Sequence, residues 1–221
     1  MDTVKQDSID GKESPVDDVA KFVAKKVKLL NGQSSWQVAM LAKLRRGVGK
    51  APGELPELWE VTLDGLPKSL RGSGKDASRG EWSVHVALTL YALHCQGKNA
   101  SMSCRGVSLG AAVAQLRNPD NEGSLKRRFD TMLTAKDFKE LSRHARSLVQ
   151  LLRVVDVRLD YPQFARDVYL YQSKDAQARN RVRLRWGRDY YRLKNIDDTS
   201  VAESNSSVTS KENHKTKEEA K

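Results

Sequence analysis

Between Lys136 and Val155 the apolar residues Phe138, Leu141, Ala145, Leu148 and Leu152 recur every three or four positions. At about 100° per residue this puts them on one helical face. Lys139, Arg143, Arg146 and Arg153 follow the same rhythm opposite them, with Gln150 in their row, so one helix carries an apolar stripe for a core and a basic stripe for solvent or a polyanion. Arginine and lysine also suit an ordinary solvated helix face, so one such stripe decides nothing alone; its repetition along the chain does.

The N-terminal half repeats the pattern. Pro15 to Leu30 predicts a helix with Asp17 and Asp18 in its first turn, Val19, Phe22, Val23, Lys26 and Leu30 along one face, and Asn31-Gly32 as its stop. Ser34 or Ser35 caps a second helix in which Trp36, Met40 and Leu44 fall four apart and face the core. Lys43, Arg45, Arg46 and Lys50 crowd its last turn and the loop beyond, where they complement the carbonyl end of the helix dipole and equally suit a phosphate. Glu54 to Leu63 predicts a short helix built on Leu55, Leu58, Trp59 and Leu63, and Pro67 to Gly80, rich in glycine, serine and bases, a flexible loop. Glu81 to Gly97 is the most apolar helix: Trp82, Val86, Thr89 or Leu90, and Leu93 at helical spacing, with Val84, Ala87, Leu88 and Tyr91 widening the buried arc. His85 and His94 on it are assigned to packing, because no acid or nucleophile stands three or four residues on.

Val107 to Leu116 predicts a compact helix of small residues fit for close packing, and Asn118-Pro119-Asp120-Asn121-Glu122-Gly123 is a turn that divides the chain. Ser124 is expected to cap the next helix, with Leu125, Phe129, Met132 and Leu133 inward and Lys126, Arg127 and Arg128 around its start, where positive charge works against the dipole. After a loop at Asp160-Tyr161-Pro162 comes a helix with Phe164, Ala165, Val168, Tyr169 and Tyr171. The last segment, Asp175 to Leu193, alternates like a strand over Arg181 to Trp186, yet Ala178, Val182, Trp186, Tyr190 and Leu193 obey helical spacing. Helix is the better assignment, since no second strand exists to pair with. On it Arg181, Arg185, Arg188 and Arg192 form one row and Arg179 and Arg183 a second, with only Asp175 and Asp189 nearby to neutralise them. A planar guanidinium forks onto phosphate oxygens and stacks on bases, so these rows favour a nucleic acid.

The expected fold class is therefore all-α: two small helical bundles packed together, 16–118 and 122–195, between disordered termini at 1–15 and 196–221. Charge sharpens the partner class. The formal net charge is +11, and the ends are acidic, with two lysines against four acids before Pro15 and four against six after Ile196. The excess lies in the helical body, which sets up a field attractive to nucleic acid or anionic lipid.

Several chemistries lack their residues. Neither Gly47-Val48-Gly49-Lys50 nor Arg71-Gly72-Ser73-Gly74-Lys75 is a P-loop, because the places that need glycine hold Leu44 and Ser69, and those that need Ser or Thr hold Ala51 and Asp76. Cys95 and Cys104, with His94, are too few and wrongly spaced for a structural zinc site, so no metal, cofactor or small-molecule substrate is expected. The two cysteines and the polar start of the chain suggest a reduced, cytoplasmic setting, and no run approaches the roughly 20 apolar residues of a membrane span. A nuclease built on Asp130, Asp137 and Glu140 would lack a partner histidine and a paired-carboxylate spacing.

Four segments in order, LAKLRRGVGKAPGELPELWEVTL, VSLGAAVAQLR, SLKRRFDTMLTAKDFKELSRHARSLVQLLR and LDYPQFARDVYLYQSKDAQARNRVRLRWGRDYY, resemble the small subunit of the type I-E CRISPR surveillance complex, Cascade, over about Ser34 to Tyr191. The resemblance implies an all-helical, two-part, non-catalytic protein. It implies a pair of copies lying along the belly of an RNA-guided complex, with the other Cascade subunits, crRNA and target DNA as partners. It also implies that basic surface residues hold the target and displaced strands. By position, Arg45 and Arg46, the run Lys126-Arg127-Arg128, Arg143 and Arg146, and the terminal arginine row match the family's cationic regions. The serine- and lysine-rich tail lies outside the shared pattern. The other reading of the same stripes is a free-standing basic helical nucleic-acid-binding protein of the RNA-chaperone or nucleoid type.

Overall fold

The computed structural model describes residues 14–192. The expected disordered ends and the inward Leu193 lie outside the described residues, except that Ser14 and Pro15 start the first helix. The chain runs α1 (Pro15–Leu30), α2 (Ser35–Arg46), α3 (Trp59–Thr62), α4 (Arg79–His94), α5 (Leu109–Ala114), α6 (Glu122–Leu133), α7 (Phe138–Val154), α8 (Tyr161–Tyr171) and α9 (176–192). No strand forms among the described residues, which fits the all-α expectation; one isolated bridge pairs Ser103 with Leu159.

Local chemistry sets the helix starts. Ser34 and Ser78 each accept from the backbone of the third helical residue while Gln37 and Glu81 reach back, two complete capping boxes. Asp137 and Asp160 cap α7 and α8 in the same sense. Asp175 accepts from the amides of Gln177 and Ala178 at the head of α9. One cap differs from expectation. The cap residue of α6 is Asn121, and Ser124 lies inside the helix with its hydroxyl donating to the Asn121 carbonyl. The reciprocal bonds between Asn118 and Asn121 close the turn three residues earlier than the serine suggests.

α4 is buried on almost every side and packs against α1, α2, α7 and α8. A helix apolar all round belongs at a centre, and here it lies at the centre of the described residues. Its hydroxyls bond back along the helix, Ser83 to the Arg79 carbonyl and Thr89 to that of His85, so neither hydroxyl is orphaned by that burial. α1 lies extensively along α8, although the turn at Asn118–Asn121 separates them in sequence. Apolar residues on both sides of that turn, from Val19 to Tyr190, belong to one core.

Three further expectations change. Trp36 is 39% exposed and Trp59 45%, so neither anchors the core; the Trp36 indole N–H donates to Glu60 Oε1 at 3.3 Å instead. The helix expected over 54–63 divides into a 3-10 turn at Pro56–Leu58 and the single turn of α3, because Pro56 and Leu55 hold an extended start. The loop 67–80 is structured. Leu70 is buried, Ser78 Oγ donates to its carbonyl at 2.5 Å, and the Gly72 amide donates to Glu81 at 3.0 Å.

Candidate nucleic-acid interface

Two arginine-rich surfaces emerge from the sixteen cations marked by the sequence. The first joins α7 to the end of α2. α7 buries Leu141, Ala145, Leu148, Val149 and Leu152, which turns Lys139, Arg143 and Arg146 outward and leaves Arg153 half-buried. The guanidinium of Arg146 reaches the loop after α2, where a methyl placed on Gly49 would stand 3.8 Å from its Nη1. Gly49 has φ +84°, a backbone conformation that glycine adopts without strain, and it turns the loop carrying Lys50 toward α7. His85, buried beneath, holds that loop by a 3.1 Å bond between Nε2 and the Gly47 carbonyl. Tertiary packing thus brings together two basic groups roughly a hundred residues apart.

Charge on this surface is only lightly cancelled. Arg46 pairs with Glu57 at 2.8 Å, and Arg143 lies 3.9 Å from Glu140. Arg153 donates to the neutral Gln96 Oε1 at 2.7 Å and keeps its charge unopposed there. Exposed pairs of this kind contribute little to stability, so a phosphate can replace the carboxylate at small cost. Lys43 and Arg45 are half-buried beside the same helix end.

The second surface joins the start of α6 to α9. Lys126, Arg127 and Arg128 are exposed, Lys126 pairing with Asp130 at 2.5 Å. On α9 the exposed arginines are Arg181, 3.7 Å from Asp175, Arg188, and Arg192, 3.9 Å from Asp189; Arg188 has no carboxylate partner among the described residues. Arg179 is half-buried.

Two arginines, one from each expected row, turn to partners within the fold. Arg183 turns inward, donating to the Ala135 carbonyl at 3.2 Å and the Tyr171 hydroxyl at 2.9 Å, with its guanidinium over the Tyr171 ring. Arg185 pairs with Asp167, a carboxylate on α8 that is 1% exposed. Asp175 and Asp189 are therefore not the only acids available to α9. The buried Asp167 was invisible to a reading confined to one helix, since it stands eighteen residues away from Arg185. Arg117, absent from the sequence-based set, stacks its guanidinium 5.0 Å over Tyr190, which itself stacks on Phe129.

The acids considered for hydrolysis are spent on the fold. Asp137 caps α7, Glu140 accepts from the Lys136 amide, and Asp130 holds Lys126. Among the described residues no group of three or more histidines, cysteines or acids is placed to hold a metal. No helix there is long and apolar enough to cross a membrane.

Helices wrapped on a buried central helix, with guanidinium rows on two outer faces, define a basic all-α protein whose chemistry lies in charge display. Residues 40–191 match the family model for CRISPR-associated protein Cse2, and the chain belongs to that family. The likeness seen in four ordered segments is the same relationship. CasB from Thermobifida fusca is 33% identical and superposes with a TM-score of 0.66, covering 79% of this chain and 98% of its own. CasB from Thermus thermophilus, 23% identical, has a TM-score of 0.59 over 81% and 99%. A chain of a structure described as a CRISPR RNA-guided surveillance complex, 20% identical, has a TM-score of 0.61 over 85% and 99%. The last two show the shared fold. No curated protein matches the chain in sequence.

Proposed function

We propose that this chain is the non-catalytic small subunit of a type I-E Cascade complex in the cytoplasm, present beside a second copy, the other Cascade subunits and crRNA. It holds target and displaced DNA strands by their backbones. Family membership supports the assembly. One observation carries the DNA contact: Arg146 of α7 standing over the Gly49 loop, which merges the cations of two helices into one surface. Strand exchange between a DNA duplex and a guide–DNA hybrid is nearly balanced in free energy, so sequence-independent contacts to phosphates are enough to tip it. The guide reads sequence, and the subunit need not.

Purification of the tagged full chain from its native cell tests the assembly. Recovery of other Cascade subunits and crRNA is the expected result; recovery of the chain alone with mixed nucleic acids would favour a free-standing binder of the chaperone or nucleoid kind. Anisotropy titrations with unrelated DNA sequences across a salt series test the contact, which should weaken steeply with salt and show no base preference.

A further inference from the structure

The outer face of α9 carries more than charge. Its inner face seats Val182, Trp186 and Tyr190 in the core, and the opposite side leaves Leu184 52% exposed and Tyr191 48% exposed. With Asn180, Gly187 and Arg188 these line an open groove of about 600 Å³. Its floor is almost wholly apolar, since Arg183, which also borders it, sends its guanidinium inward to Tyr171. The rim is cationic: Arg181, Arg188 and Arg192 stand exposed on the same helix, and Lys126 of α6 lies within electrostatic reach of Tyr191.

Tyr191 is mounted for face contact. Tyr190 meets it edge-on, with ring centroids 5.1 Å apart and planes at 88°. Tyr190 is fixed in turn by Phe129, stacked at 4.8 Å, and by Arg117. An exposed aromatic at the end of an apolar strip, bordered by cations and next to a glycine that adds no bulk, matches unpaired nucleic acid. Phosphates take the guanidiniums and a base takes the ring face. A duplex gains nothing from the strip, because its bases already stack on one another. A protein partner here would have to present acids around an apolar knob.

We infer that the α9 groove binds single-stranded nucleic acid by stacking an unpaired base on Tyr191, so that this face selects displaced or unpaired strand over duplex. The inference rests on the nucleic-acid reading above and narrows it to one strand form.

The test uses the full chain with fluorescent single-stranded DNA of unrelated sequences, the same strands annealed to duplex, and a single strand with abasic sites throughout. Tyr191→Ala should weaken single-strand binding about tenfold and duplex binding by less than about twofold, as expected for removal of one stacked base. Tyr191→Phe, which keeps the ring, should bind like the parent. The parent should hold the abasic strand about as weakly as Tyr191→Ala holds the normal one. Superposable circular dichroism and melting curves would show that both variants fold. Equal weakening on single strand and duplex, or none on either, overturns the inference. So does a Tyr191→Ala chain that binds oligonucleotides normally yet fails in self-association or capture of other subunits, which would make the groove a protein-docking face. If Arg143→Glu with Arg146→Glu weakens binding while Tyr191→Ala does not, stacking fails and the phosphate-contact reading stands. If neither does, both fail.

Discussion

The indole N–H of Trp186 donates to Asp167 Oδ2 at 2.6 Å, and both side chains are fully buried. Arg185 and the Gln163 amide complete the shell of the same carboxylate, tying α8 to α9. Burial pushes the Asp167 carboxyl above its ordinary range, against the opposing pull of Arg185, Gln163 and Trp186. Removing the carboxylate strands a buried N–H and a partly buried guanidinium. Asp167→Ala should cost about 3 to 5 kcal/mol in urea unfolding. A loss below about 1 kcal/mol would show that the network does not hold the helices together. For the same reason Arg185→Glu, which sets two carboxylates against each other, reports on folding and not on DNA.

Charge reversal at positions that make no buried contact is the cleaner probe. Arg143→Glu with Arg146→Glu should leave the circular dichroism spectrum unchanged, because both side chains are exposed. It should weaken DNA binding and lower the slope of log affinity against log salt by about one for each phosphate that the protein no longer neutralises. An unchanged slope would remove the α7 face from the interface.

Gly110 on α5 touches the backbone of α9, where a methyl would overlap the Trp186 carbonyl. Ser108 at the cap of α5 donates to Asp189 at 2.6 Å and locks the same pair of segments. Gly110→Ala should therefore force the two helices apart at a cost of about 3 kcal/mol. Stability equal to the parent's would mean that the interface yields freely.

Acid should destabilise the fold through its buried histidines. His94 is 0% exposed, with Nδ1 3.0 Å from the Tyr161 hydroxyl. Burial pushes its pKa down from 6.5 to about 4; the Val157 carbonyl and Asp156 oppose the shift, while Lys98 and Arg153 add to it. Between those two values the unfolded chain holds a proton that the folded chain refuses, so the stability present above pH 6.5 falls away as pH drops toward 4. For His94 this amounts to roughly 3 kcal/mol. His85, also lowered by burial, adds in the same direction. Unfolding midpoints of the parent and His94→Gln compared across that range should show the shallower slope in the variant; parallel slopes would assign the acid sensitivity elsewhere.

Periodicity alone was enough for most of the helices and for the residues that each of them buries, down to Lys26, whose ammonium reaches the Glu60 carbonyl at 3.2 Å from a 6% exposed side chain. That is a local property: a stripe repeating every 3.6 residues must face something apolar, whichever helix supplies it. The cap at Ser34 and the choice of helix over strand for α9 follow from equally short-range chemistry. Only tertiary packing decided which outward cations act together and which are consumed. Arg146 meets Gly49, Arg185 meets Asp167, and Arg183 meets Tyr171 across helix boundaries. Trp36 and Trp59, apolar at positions that a stripe would bury, stay exposed, and the Trp36 indole bonds to Glu60 instead. A side chain's partners across the core depend on how helices cross, and that arrangement arises from the whole set of stripes packing at once, which no single stripe encodes.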